Sequence, residues 1–183
     1  SGATFTGTVD AATVTLSDTR DGRTIAVQGN LTATTLNTAA QGYNVALTGG
    51  SNAITNAVTF SNTGTLTLGD AATDSTAFTG GVVATAPSSK GIAGTISAAG
   101  TGVLNLGTTP VSVTADATVG GTSTGQITLG ATTLADGATL TLGTGAASPV
   151  TVTSVAGTAG GTASNLTVNV ADDATLPAVS IGT

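Results

Sequence analysis

The sequence predicts an all-β fold, a β-solenoid of short strands, on three observations. Period-two apolar alternation recurs along the whole chain, helix-forming residues are nearly missing, and one phrase is repeated in worn copies. The 183 residues suit a single domain, taken as 1–183. Ala, Thr and Gly dominate. There is no Cys, His, Met or Trp, and the nine acidic residues are all Asp. Gly and Thr are poor helix formers, while Thr and Val favour strands. Charged residues are only 7% of the chain, too few for the low-hydrophobicity, high-charge pattern of disorder.

The alternation places Val14 and Leu16 on one face of the first clear strand. Tyr43, Val45 and Leu47 follow, then Val58 with Phe60, and Leu66 with Leu68. Ile96, Leu104/Leu106, Val111/Val113, Ile127/Leu129, Leu140/Leu142 and Val150/Val152 continue it. Leu166, Val168 and Val170, then Val179 and Ile181, finish the series. Thr occupies many of the intervening positions, the pattern of a half-buried strand. Each run is about four to six residues and stops at Gly, Asp or Ser, as strands bounded by tight turns do.

The repeated phrase is LADGATLTLGTG at 134–145, which reads as a coil: a turn at Asp136-Gly137, a strand through Leu140 and Leu142, and a turn again at Gly143. VTADATVGG at 113–121 and VADDATLPAVSIG at 170–182 are worn copies. GTLTLGD at 64–70 and GVLNLGT at 102–108 carry its second half. Gly pairs recur forty positions apart at Gly80/Gly81, Gly120/Gly121 and Gly160/Gly161. If forty residues are two coils, a coil is about 20 residues, which fits solenoids. About nine coils near 4.8 Å apart give a rod on the order of 40 Å long. A narrow interior of Val, Leu, Ile, Ala and Thr also accounts for the scarcity of rings, since large rings would distort it. A β-sandwich is the alternative, kept open by the irregular repeat spacing.

GTLTLGDAATDSTAFTGG, GVLNLGTT and LADGATLTLG resemble the degenerate strand repeats of bacterial autotransporter passengers and large surface adhesins. The resemblance runs from about Ala53 onward and is one of composition and rhythm. Richness in Ala, Thr, Gly and Val, acidity and lack of Cys are also similar to surface-layer proteins. The resemblance implies a right-handed parallel β-helix, an extracellular or bacterial cell-surface location, and a structural or adhesive role. The chain departs from these families in having no following barrel and no calcium-type glycine-rich nonapeptide. It reads as a segment of a longer chain or as a subunit that polymerises.

Composition narrows the chemistry. Without His or Cys, Ser-His-Asp and Cys-His catalysis are unavailable, and zinc has no imidazole or thiolate. The expectation is no enzyme and no cofactor. A net charge of −6 opposes binding to nucleic acid. No apolar run approaches the roughly 18 residues of a membrane helix. Asp70 with Asp74, and Asp172 with Asp173, are weak calcium candidates, because calcium takes several oxygen ligands. Ser88 or Ser89 with Lys90, in a stretch expected to leave the stack as an exposed loop, is a remote nucleophile-base pair. Asp18, Arg20, Asp21 and Arg23 form the one charge-dense stretch, read as a solvated turn.

Thr-x-Thr pairs at Thr13/Thr15, Thr65/Thr67, Thr139/Thr141 and Thr151/Thr153 raise ice binding, but at no single interval. SGATFTG and AVSIGT, at the two ends, are strand-like and carry no polar cap. Solenoids need such caps. The terminal strands are therefore expected to pair end to end with a second copy, or with flanking repeats of a longer chain. A calcium-dependent surface-layer lattice and an ice-binding solenoid are the alternatives to a surface adhesin or filament.

Overall fold

The computed structural model describes residues 2–17 and 20–182, and they form a parallel β-solenoid with three faces. The chain winds repeatedly through face A, face B and face C. Coil 1 contains β1 (Ala3–Phe5) on face A and β2 (Val9–Leu16), which bends from face B onto face C. Coil 2 repeats this with β3 (Thr24–Val27) and β4 (Leu31–Thr38). Coil 3 has one strand per face: β5 (Asn44–Leu47), β6 (Ser51–Ile54) and β7 (Val58–Thr59). Coil 4 does the same with β8 (Thr65–Leu68), β9 (Ser75–Phe78) and β10 (Val82–Val83).

In coil 5, β11 (Ser89–Ala98) covers faces A and B and β12 (Leu104–Asn105) covers face C. Coil 6 is β13 (Val111–Gly121) on A and B, completed by the start of β14 (Ile127–Leu134) on C. Coil 7 takes the rest of β14, β15 (Thr139–Leu142) and the start of β16 (Val150–Gly157). Coil 8 takes the rest of β16, β17 (Asn165–Val168) and β18 (Ala174–Thr175). A last face A strand, β19 (Val179–Ser180), lies on β16. The described residues thus make eight coils and the opening strand of a ninth.

Among the described residues every strand pairing is parallel, and each joins residues one coil apart. Coil length varies from 20 residues (Ile25 to Val45) to 26 (Leu140 to Leu166). The corners absorb the difference, and the strands stay in register. On face A the inward row runs Val27, Leu47, Leu68, Ile92, Val113, Leu134. All six are at most 1% exposed. Backbone hydrogen bonding fixes the coil spacing, and these stacked side chains exclude water between the faces.

Three sequence expectations need correction. The forty-residue glycine period is not two coils. Gly80 and Gly81 lie at the corner after β9, Gly120 and Gly121 end β13, and Gly160 and Gly161 precede β17. The repeated phrase is one side of a coil and not a whole one. It forms β8 on face A, β12 on face C and β15 on face B. Its logic is local, a strand between two tight turns, so it serves on any face.

Rings also fit inside. Tyr43, Phe60 and Phe78 are fully buried, and the two Phe rings meet edge to face at 6.0 Å. The Tyr43 hydroxyl donates to the Leu16 carbonyl and accepts from the Ala39 N–H, so its polar end is satisfied.

Buried polar groups tie neighbouring coils together. Asn52 Oδ1 accepts the Leu31 N–H at 3.1 Å, and its Nδ2 donates to Gly49 O and Thr76 Oγ1 at 2.9 and 3.2 Å. One side chain thereby joins coils 2, 3 and 4. Gly94 sits at the corner of β11 with φ of +69°, where a Cβ would come within 2.1 Å of the Asp74 carbonyl. No other residue fits that corner.

At the ends the alternation persists but burial fails. Phe5, Val168 and Val179 are 45%, 40% and 47% exposed, since no further coil covers them. Leu66→Ala is therefore expected to lower unfolding stability by about 2–5 kcal/mol, and Val179→Ala by under about 0.5 kcal/mol. Urea denaturation of the two variants checks the contrast; equal losses would contradict the stacked interior.

Candidate functional site

Asp70 and Asp74 are brought together at the corner between β8 and β9. The corner is short, and Asp74 closes it. Asp74 Oδ2 accepts the N–H groups of Asp70 and Ala71 at 2.9 and 3.0 Å. Burial alone would raise the Asp74 carboxyl. The Asp70 and Ala71 N–H groups, with the Asp70 carboxyl, outweigh it and hold Asp74 below its ordinary value. Asp70 is pushed the other way, first by desolvation and then by the Asp74 carboxyl beside it. Asp74 thus braces the corner.

Asp172 and Asp173 lie four coils away, at the corner between β17 and β18. There the Asp173 N–H donates to Asp172 Oδ1 at 2.8 Å, and both residues are exposed. The two candidate pairs do not meet. Among the described residues, no group of three or more Asp side chains is placed to hold a metal.

Lys90 is the largest departure from expectation. The sequence places it in an exposed loop, yet it is part of β11 and 2% exposed. The cause is its phase. Lys90 and Ile92 alternate inward, and Lys90 stacks between Leu66 and Val111. Its aliphatic stem replaces a core side chain, and its Nζ reaches the corner to donate to Thr109 Oγ1. Thr109 Oγ1 donates in turn to Pro87 O at 2.8 Å. Desolvation lowers the amine to about 8. Ser88 turns away, donating from Oγ to Gly64 O at 3.2 Å. Neither Ser88 nor Ser89 hydrogen-bonds Lys90 among the described residues, so the serine-lysine pair is not assembled.

In the charge-dense stretch, Asp18 and Thr19 lie outside the described residues. Arg20 and Arg23 are exposed, and Asp21 Oδ1 accepts the Gly42 N–H at 3.1 Å. Asp21 therefore ties its corner to the next coil, while the arginines face solvent.

The surface carries an order that spacing in the sequence hides. Outward positions on face B stack as Ser51, Ser75, Thr95, Thr118, Thr141 and Thr167, a hydroxyl in every coil from 3 to 8. The intervals differ because coil lengths differ, so no fixed period is visible. Face C carries Asn105, Thr128, Thr151 and Thr175 in one row. The Thr-x-Thr pairs fall on different faces: Thr65/Thr67 on A, Thr139/Thr141 on B and Thr13/Thr15 on C. A shallow groove of about 250 Å³ on face B is lined by Thr95, Asp116, Thr118, Thr139 and Thr141 with Ala72. Asp116 Oδ1 there accepts the Thr139 N–H at 2.8 Å.

Compared with protein-family models, curated proteins and solved structures, the chain finds no match.

The buried amine predicts an unusual pH dependence. In the folded chain Lys90 loses its proton near pH 8, while in the unfolded chain it keeps it to about 10.5. Between these values the unfolded state binds more protons, so stability rises with pH. Below pH 8 the folded state carries the full cost of a desolvated charge. Urea unfolding is expected to show a gain of about 1–3 kcal/mol from pH 7 to pH 9.5. Lys90→Met is expected to be more stable than the parent at pH 7 and to lack this rise. A parent whose stability falls over that interval would contradict the assignment.

Proposed function

We propose that this chain is a non-enzymatic structural unit, a β-solenoid rod that extends by stacking coil on coil with a second copy. The setting that fits is an extracellular adhesin or filament of a bacterial surface. One observation carries the reading. Among the described residues, the first and last coils carry parallel strand edges and apolar side chains on which no further coil is stacked. Three of the four large hydrophobic residues exposed among the described residues, Phe5, Val168 and Val179, sit at those ends. An open edge is a template for another strand, and every internal coil here satisfies its edge with an identical kind of neighbour. Head-to-tail contacts of this type propagate rather than close. The surface setting rests on the resemblance of the strand repeats to autotransporter passengers and adhesins.

A second reading, an ice-binding solenoid, is favoured by the hydroxyl row on face B. Six side chains from Ser51 to Thr167 repeat at the coil spacing. That is the regularity a surface needs in order to organise water.

One preparation separates the readings. Light scattering and negative-stain microscopy of the 183-residue chain are expected to show rods that lengthen with concentration. Species that stay at 17.1 kDa at every concentration, together with thermal hysteresis, would replace the first reading by the second.

A further inference from the structure

Asn62 is fully buried at the corner that joins face C to face A, between β7 and β8. Its Nδ2 donates to Tyr43 O at 3.2 Å and to Thr65 O at 3.1 Å. Both neighbours are acceptors, so the amide cannot be turned round, and Oδ1 is fixed on the other side. Among the described residues, Asn62 Oδ1 is the one buried side-chain nitrogen or oxygen with no hydrogen-bond partner. A dry acceptor inside a protein is costly and rare.

The other asparagines that tie coils together find a backbone donor. Asn30 Oδ1 accepts the Ser51 N–H at 3.0 Å, Asn44 Oδ1 the Thr65 N–H at 2.8 Å, and Asn52 Oδ1 the Leu31 N–H. In the coil above Asn62, the buried residue of the corner is Pro87, which has no N–H to give. What that coil supplies is an amine. Lys90 lies on Leu66 one coil up and sends Nζ back to this corner, where it donates to Thr109 Oγ1. An ammonium has three N–H donors, so two are left for other partners. The charge has no carboxylate beside it among the described residues.

We propose that the core holds one bound water molecule between Asn62 Oδ1 and Lys90 Nζ, donating to the first and accepting from the second. The spacing suits it. Adjacent coils are about 4.8 Å apart, too far for one hydrogen bond, while two bonds through a water span about 5.5 Å. The chemistry selects water over an ion. A metal cation would meet the ammonium, and an anion would meet the amide oxygen of Asn62. Only a ligand that donates on one side and accepts on the other suits both groups. The water completes a polar seam inside the rod, from Tyr43 O through Asn62, Lys90 and Thr109 to Pro87 O. It also returns part of the hydration that a buried ammonium loses.

A high-resolution crystal structure of the unaltered chain tests the site directly. One ordered water is expected within about 2.7–3.2 Å of both Asn62 Oδ1 and Lys90 Nζ. No density between the two groups, an ion in that place, or Nζ bonded directly to Oδ1 would overturn the proposal.

A cycle of variants reads the same link in solution by urea unfolding. In the parent, Asn62→Leu takes away the oxygen to which the water donates, and is expected to lower the folded-to-unfolded ratio about tenfold. In Lys90→Met, where no ammonium needs the water, Asn62→Leu is expected to leave the ratio within about twofold or to raise it. Equal losses in the two backgrounds would contradict the bridge.

Discussion

Each coil of this molecule takes its hydrogen-bond partners from the coils on either side, and the parallel ladder so formed is what the remaining structure depends on. Backbone N–H and C=O groups of a short strand cannot pair within that strand, so a lone coil would leave them to water. Stacking supplies the partners and sets the spacing. It also aligns the inward residues, which is why Val27, Leu47, Leu68, Ile92, Val113 and Leu134 form one continuous row despite unequal coil lengths. The same alignment operates on the outside. It turns hydroxyl residues with no common interval in the sequence into a line on face B. Interior and surface order therefore share one cause, and both weaken where the stack stops.

Much of this was legible because β-strand patterning is local. Pairs such as Leu66/Leu68 and Leu140/Leu142 announce their inward phase through alternation alone, and all four are fully buried. What a local pattern does not encode is which face a strand joins. GTLTLG and ATLTLG are nearly the same words, yet they lie on faces A and B. That assignment depends on the lengths of all the corners before them. For the same reason the glycine pairs suggested a period that the coils do not have, and the face B hydroxyl row was invisible. The charge of Lys90 and the neighbouring Pro and Ser point to a loop, while its phase points inward. The alternation from Lys90 to Ile92 held the correct signal.

The polar groups that looked chemically interesting mostly serve the corners. Asp74 accepts two backbone N–H groups that a tight turn would otherwise leave unpaired. Asp21 and Asp116 each accept one from the following coil. A carboxylate at a corner does the work that a longer loop or a disulfide would do elsewhere, in a chain that has no cysteine. Asn52 has the same role inside, and its three hydrogen bonds offset the cost of burying an amide. Lys90 differs from these, since a desolvated charge in the middle of the rod lowers stability at neutral pH. Its stem still fills the space that Leu66 and Val111 fill in adjacent coils.

The central claim is that stability resides in the stack, each coil being protected by the neighbours that cover it. Residue-resolved hydrogen exchange of the monomeric chain tests this most directly. The strongest amide protection is expected in β8, β11 and β13, near the middle of the stack. Protection should decline coil by coil toward β1 at one end and β17 to β19 at the other. Protection that is uniform to both ends, or highest in a terminal coil, would contradict the account.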